Sequence, residues 1–474
     1  LLLYSLKNIF KRLRKGFSIL GGCPLVNKIL IANRGEIAVR IIRACRELGI
    51  RTVAVFSEAD RNALHAQIAD EAICIGPAPS KDSYLNVKAI LAACEVTGAQ
   101  AVHPGFGFLS ENADFAHMCG RCNLIFIGPD PESMELMGDK AKAKKTMKRA
   151  GVPVVPGSDG EVKSIEEAKR IAEMIGYPVM VKASAGGGGR GIRKVDSPDK
   201  LEAAIYAAKS EAGAFFGNDG IYIEKFIANP HHIEVQVLAD NYGNAVYLGE
   251  RDCSLQRRNQ KVLEESPSML VTPELRKRMG EISIKAVHAC GYKNAGTIEY
   301  LVDENGNFYF MEMNTRIQVE HPVTELVSGI DIVKQQILIA CGEKLPFKQS
   351  DITLRGHAIE CRINAENPKY NFRPSPGKIE SLHMPGGPGI RIDSAVYQGY
   401  TIPPYYDSMI AKLIAYAPTR EEAISKMRWA LAEFLVDGVD TNIDYQLEIL
   451  KDKDFINAKY DIGFLDRKDF ASRL

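Results

Sequence analysis

Residues 295–320, AGTIEYLVDENGNFYFMEMNTRIQVE, hold the densest set of side chains able to do chemistry. Two runs rich in β-branched and aromatic residues, 297–303 and 308–314, flank Glu-Asn-Gly-Asn. Asn305-Gly306 is a strong hairpin signal, because both central positions of a type I′ turn need positive φ. A tight turn there pairs Asp303 with Phe308, Leu301 with Phe310 and Glu299 with Glu312. Two carboxylates then face each other across the hairpin, where like charges repel. A cation between them removes the repulsion, and two carboxylates with water and phosphate oxygens are a usual cradle for Mg²⁺. Asn314 falls on the same face and offers another oxygen. Arg316, Gln318, Glu320 and His321 follow at once, too dense for the plainer reading of two edge glutamates splayed into water.

A second group surrounds the run Gly186 to Gly191, five glycines in six positions. Without Cβ atoms the backbone N–H groups can close around an oxyanion. The run lacks Gly-Lys-Ser/Thr and joins two expected strands, so it is not a P-loop. Lys182, just before it, can hold phosphates as a point charge. A glycine flap, a lysine at its base and a remote acidic hairpin make a coherent ATP site. Two further clusters stand out: Gln256-Arg-Arg-Asn-Gln-Lys261, followed by Glu264 and Glu265, and Arg362 within an apolar strand pattern. A buried Arg there needs a carboxylate or oxyanion partner.

The elements that must position these groups divide the chain. From residue 28 to 127 short apolar strands alternate with helical periods, which predicts a parallel, doubly wound sheet. No G-x-G-x-x-G turn opens it, so a Rossmann-like topology is expected without a nicotinamide site. His103-Pro-Gly-Phe-Gly-Phe108 lies at the end of a strand, where such sheets place ligands. A basic helix from 138 to 149 follows, then a small β-α-β-α-β unit over 162–226 and a hairpin around Asn241-Tyr-Gly-Asn244. A helix beyond Pro322 is expected to run to Cys341, and a β-rich segment over 354–415 leads into a last helix.

The composition, 46% hydrophobic and 25% charged, is that of an ordinary globular protein. A net charge of +1 supplies no bulk field to recruit nucleic acid or an anionic membrane. No apolar run reaches the length of a bilayer span. Ten cysteines make no disulfide framework at this length and read as reduced thiols of a cytoplasmic protein. Cys119-Gly-Arg-Cys122 is a lone pair, short of the four ligands of a closed zinc site. Residues 1–26 read as an extension outside any domain. They are basic and acid-free, as a transit segment would be, but the first Met is Met118, which fits translation from upstream of a non-ATG start near Leu25 or Val26.

The motifs KILIANRGEIAVRIIRACRELG, HPGFGFLSEN, MGDK, KASAGGGGRG, ERDCSLQRRNQK, EMNTRIQVEHPVTE and RGHAIECRINAE resemble biotin carboxylase, an ATP-grasp family, from about residue 27 to 465. The resemblance implies a multidomain α/β and α+β fold. Its parts would be a Rossmann-like N-terminal domain (27–138), an ATP-grasp domain (139–345) with a mobile lid (about 154–228), and a β-rich C-terminal domain (354–465). It implies ATP-dependent carboxylation of biotin by bicarbonate through carboxyphosphate. Lys140 and Lys182 would contact ATP phosphates beneath Gly188 and Gly189. Glu224, Lys225, Phe226 and Ile227 would hold adenine, helped by His232 and Gln256. Glu299, Glu312 and Asn314 would hold Mg²⁺ or Mn²⁺. Lys261, Arg316 and Val319 would position bicarbonate, Glu320 would act as its base, and Arg362 would stabilise the oxygen of the biotin ring. Asn259 stands where the family often has His; it can donate a hydrogen bond near the nucleotide but carries no proton charge.

No Ala-Met-Lys-Met motif is present, so the resemblance implies a free-standing subunit acting on a separate biotin carboxyl carrier protein. It would work beside carboxyltransferase subunits, as a homodimer, in acetyl-CoA carboxylase or a two-chain pyruvate carboxylase. Rival readings are another ATP-grasp acyl-phosphate ligase, disfavoured by QRRNQK and Glu320-His321, and a catalytically dead nucleotide-binding regulator, disfavoured by the intact base, metal pair and arginines.

Overall fold

The computed structural model describes residues 26–183, 192–216 and 220–474. Gly188, Gly189 and the N-terminal extension, apart from its last residue Val26, lie outside the described residues. Five parallel strands, Lys28–Ile31 (β1), Arg51–Phe56 (β2), Glu71–Cys74 (β3), Ala101–His103 (β4) and Ile125–Phe126 (β5), form a sheet in the order β3-β2-β1-β4-β5. The order reverses between β1 and β4, and ligands of such sheets bind in the crevice outside the strand ends at that point. The loops leaving these two strands carry Asn33 and Phe106–Phe108. The Asn33 amide ties them together by donating to the carbonyls of Pro104 and Phe106, both at 2.7 Å.

Val179–Ala183 (β6), Ile192–Val195 (β7) and Ile221–Lys225 (β8) make a small antiparallel sheet in the order β7-β6-β8. Helices Ile165–Ile175 and Pro198–Phe216 cover it around a core of Val179, Val181, Ile205 and Ile223. The expected leading strand of this unit is not formed; a helix with Ser164 as its N-cap comes first.

The remaining large sheet is antiparallel. Its strands are His231–Ala239 (β9), Ala245–Arg257 (β10), Gln260–Ser266 (β11), Asn294–Val302 (β12), Phe308–Asn314 (β13), His357–Asn364 (β14), Ile390–Ser394 (β15) and Met409–Ala417 (β16). They lie in the order β13-β12-β9-β10-β11-β14-β16-β15. The segment expected as a separate β-rich body thus continues the same sheet, with β11 pairing to β14 through Leu263↔Cys361 and Glu264↔Glu360. The QRRNQK cluster is the end of β10, a tight turn and the start of β11. Arg258 and Asn259 both take positive φ, +50° and +63°, without the glycine that marks such turns. The helix expected from Pro322 to Cys341 is two, His321–Ser328 (α1) and Ile332–Ala340 (α2). Gly329 at φ +72° ends the first, and the Asp331 carboxylate caps the second by accepting from the Lys334 N–H.

Candidate active site

The loops of the parallel sheet, the small sheet and the large sheet enclose one cleft of about 2100 Å³. Of the residues expected at a site, Lys140, Lys182, Glu224, His232, Gln256, Asn259, Lys261, Glu299, Glu312, Asn314, Arg316, Val319, Glu320 and Arg362 all line it. Lys225, Phe226 and Ile227 are not among the lining residues. The Lys225 ammonium turns to the carbonyls of Gly176 and Tyr177, and the Phe226 N–H donates to the Pro178 carbonyl.

The β12–β13 hairpin reaches the expected pairing by a different route. Its tip is wider than a two-residue turn: Asp303 exchanges hydrogen bonds with Asn307 and Gly306, and Gly306 alone is left-handed at φ +73°. The Asp303 carboxylate accepts from the N–H groups of Asn305 and Asn307 at 3.0 and 2.9 Å, which favours this longer loop. Phe308 therefore faces Val302 and Phe310 faces Tyr300, one residue off the expected register. A bulge at Met311 restores it, so Glu299 does lie opposite Glu312, and Asn314 opposite Thr297. The two carboxylates differ in setting: Glu299 is buried, whereas the Glu312 side chain is 42% exposed and meets Lys140 at 3.6 Å.

Glu299 belongs to a charged network on the cleft floor. Its oxygens meet His232 Nε2 at 2.8 Å, Lys261 Nζ at 3.1 Å, and the amides of Asn314 and Gln318, both at 2.8 Å. Lys261 also donates to Glu234 at 2.7 Å and to Glu320 at 2.6 Å. Arg362 pairs with Glu264 at 2.5 Å and reaches Glu320 at 3.1 Å. Glu320 is thus buried between two cations. Burial pushes its pKa up, but the charges of Lys261 and Arg362 outweigh this and hold it well below the ordinary carboxylate value. His232 is shifted the opposite way: burial lowers its pKa, but Glu299 raises it more, while Gln256 holds its Nδ1 at 2.6 Å.

Several partners were not singled out in the sequence. Arg251 is fully buried beneath Glu320. It pairs with Glu234 and donates to Gln236 at 2.9 Å, Thr324 at 2.9 Å, Gln318 at 2.8 Å and Thr297 at 3.2 Å. Glu111, from the loop after β4, accepts from Arg316 Nε at 2.9 Å and from the Thr315 N–H at 3.1 Å. Lys412 on β16, also fully buried, donates to the Val319 carbonyl at 2.9 Å and meets Glu36 at 3.1 Å. The segment from Arg316 to Glu320 is therefore pinned from three elements. Towards the small sheet, Glu224 accepts from Lys182 at 2.6 Å and Lys144 at 2.8 Å, which gathers two ammonium groups at the cleft wall. Asn33 to Glu36 and Phe106 to Phe108 complete the wall at the switch point. Cys119 is buried and Cys122 exposed, and no metal-ligating group of His, Cys, Asp or Glu forms around them among the described residues.

The donors fit a hard divalent cation. Glu299 and Glu312 supply anionic oxygens from opposite strands, and Asn314 adds a neutral oxygen that now accepts from Arg316 at 3.0 Å.

Three family models match the chain: "Biotin carboxylase, N-terminal domain" over residues 25–134, "Carbamoyl-phosphate synthase L chain, ATP binding domain" over 139–348, and "Biotin carboxylase C-terminal domain" over 360–467. The chain is 57% identical over 446 residues to biotin carboxylase 1 of Bacillus subtilis, covering 94% of this chain and 99% of that one. It resembles the biotin carboxylase domain dimer of 2-oxoglutarate carboxylase from Hydrogenobacter thermophilus, solved with MgADP, ADP and bicarbonate. That likeness has a TM-score of 0.86 and 54% identity over 94% of this chain and 98% of that one. It also resembles the biotin carboxylase subunit of a pyruvate carboxylase, with a TM-score of 0.85 and 55% identity over 94% and 99% of the two chains. The chain belongs to the biotin carboxylase family and is an ATP-dependent ligase that uses Mg²⁺ and carboxylates biotin.

Proposed function

We propose that this chain performs the first half-reaction of acetyl-CoA carboxylase, carboxylating biotin presented by a biotin carboxyl carrier protein for use by carboxyltransferase subunits. Residues 27–138, 139–345 and 354–465 act as its three domains, and it works as a cytoplasmic homodimer, the dimeric Hydrogenobacter thermophilus domain supporting that assembly. The observation that carries the chemistry is Glu320 clamped between Lys261 and Arg362, within reach of the Arg316 and Val319 segment.

Bicarbonate is a poor nucleophile until deprotonated, and Glu320 is the base that takes its proton. In the ligand-free cleft the two cations depress the proton affinity of Glu320. Once Lys261 turns to the bicarbonate oxygens and Arg362 to the biotin ring, that restraint is relieved and Glu320 becomes a stronger base. Base strength is thereby tied to the presence of substrates. Attack on the γ-phosphoryl group breaks its bond to the bridging oxygen, giving carboxyphosphate and ADP, with Lys140 and Lys182 offsetting the developing charge. Mg²⁺, held by Glu299, Glu312 and Asn314, would supply further charge neutralisation at the phosphates. Gln256 and His232 border the nucleotide side of the floor. Arg362 then holds the negative charge that develops on the ureido oxygen as the ring N–H gives up its proton, and the nitrogen takes the carboxyl group as the bond to phosphate breaks and phosphate leaves.

The test is bicarbonate-dependent ADP release with and without free biotin, followed by carboxyl transfer from the loaded carrier. Biotin should stimulate ADP release, and acetyl-CoA should be carboxylated when its carboxyltransferase is added. Absence of trapped carboxybiotin overturns the site reading. Transfer to pyruvate in place of acetyl-CoA would instead make the chain a pyruvate carboxylase subunit, like the 55% identical subunit it resembles.

A further inference from the structure

Beside Arg362, two glutamates face each other across neighbouring strands. Glu264 on β11 and Glu360 on β14 are a directly opposed pair, and both are fully buried. Arg362, two residues along β14, projects from the same face; its guanidinium meets one oxygen of Glu264 twice and also reaches Glu320 at 3.1 Å. The second oxygen of Glu264 and both oxygens of Glu360 have no hydrogen-bond partner. Three unpaired carboxyl oxygens in a buried space are costly if both groups are anions.

The neighbouring charges do not supply a spare cation. Arg251, Lys261, Arg362 and His232 are grouped with Glu234, Glu299, Glu320, Glu264 and Glu360, so even with His232 protonated one carboxyl is left over. Lys412, which stands beside Arg362 on β16, is the strongest cationic influence on Glu360, but it brings the buried carboxylate of Glu36 with it and donates to the Val319 carbonyl, so counting both leaves the same single carboxyl over. From α1, which packs on β11 and β14, the titratable groups are Glu320 at its N-cap, buried His321, kept uncharged by burial and by Lys412, and buried Glu325, paired with Arg40 and Arg391. One bound proton resolves both the missing charge and the missing hydrogen bond.

We propose that Glu264 and Glu360 form a carboxyl pair sharing a single proton, and that this pair positions Arg362 between Glu264 and Glu320. With one proton the pair carries one negative charge and balances Arg362 without drawing it off Glu320. When the proton leaves, the pair gains a second charge, repels itself across the strands and pulls Arg362 away from the place where the biotin oxygen needs it. The electrostatics agree in direction: burial pushes Glu264 up to about 7, and burial raises Glu360 well above the ordinary carboxylate value. The role is one of positioning, since neither glutamate lines the cleft, and it rests on the reading of Arg362 given above.

Infrared difference spectroscopy of the full-length protein tests the pair independently of that reading. At neutral pH the wild type should show the carbonyl band of a protonated buried carboxyl, and Glu360→Gln should lose it. A wild type without the band, or a variant that keeps it, overturns the proposal. Kinetics test the positioning. Because glutamine reproduces the uncharged acid, Glu360→Gln should keep kcat within about tenfold at neutral pH and move the alkaline limb of kcat/KM for biotin up by at least about one pH unit. An alkaline limb left in place, or a larger loss of kcat in a folded variant, overturns it. Should Glu360→Gln fail to fold, the wild-type band must fade with rising pH in step with kcat/KM for biotin; fading out of step overturns the proposal. An infrared signature present in a protein that forms no carboxybiotin would keep the pair and discard only the role of Arg362.

Discussion

On the floor of the cleft, Lys261, Glu320 and Arg362 have side-chain exposures of 12%, 2% and 19% and meet at 2.6 and 3.1 Å. At the rim, Lys140 and Glu312 have exposures of 83% and 42% and stand 3.6 Å apart. Both are charge pairs, but water screens the second and is excluded from the first, so equal separations would carry unequal energies. The floor is preorganised by the protein before any substrate arrives. The rim pair, open to water, has no such fixed setting. On the reading proposed above, the fixed charges of the floor suit carboxyl chemistry, and the exposed pair at the rim suits adaptable contacts to the nucleotide.

The largest effect should come from the floor. Glu320→Gln should lower kcat for biotin carboxylation by about 10³-fold, with the KM for ATP changed little; measurement of carboxybiotin and ADP in the same reaction checks this. A fall in ATP affinity alone would erase the distinction between floor and rim. Glu312→Gln should act on the metal side, raising the KM for Mg·ATP by roughly tenfold while leaving the thermal midpoint unchanged, because its side chain is half exposed. Titration of Mg²⁺ at fixed ATP gives the readout, and unchanged activity would remove its metal role. The smallest effect belongs to Lys140→Ala, a roughly twofold to fivefold rise in the KM for ATP that shrinks as salt is added. A salt-insensitive loss of kcat would place Lys140 on the floor after all.

Much of the rim and part of the floor were legible in the chain. Glu299 and Glu312 emerged as a pair from the alternation around Asn305-Gly306, although the turn is longer and the bulge at Met311 corrects the slip. Arg362 announced a need for carboxylates simply by lying in an apolar strand, and it has two. What stayed hidden is non-local. The bond from Arg316 to Glu111 spans 205 positions, and no local pattern carries such a pairing. The β10–β11 turn was invisible because Arg258 and Asn259 adopt positive φ without glycine. Glu264 and Glu265 read as a charge run, yet both are buried on opposite faces of β11. Burial drives Glu264 up to about 7, whereas Arg420 and His357 overcome burial and draw Glu265 down to about 2. Neighbours in sequence can have opposite chemistry when a strand separates them by a face.

The junction of β11 with β14 has a consequence for biogenesis. Ser266 closes β11 and His357 opens β14, so a ribosome elongating at ordinary rates leaves the β11 edge without its partner for on the order of ten seconds. An open edge bearing unpaired backbone groups is a template for pairing with other nascent chains. The acidic pair Glu264 and Glu265 sits on that edge. Charged side chains on an open edge blunt such pairing. Two carboxylates that end in separate buried settings, Glu264 beside Arg362 and Glu265 beside Arg420 and His357, first guard one open edge.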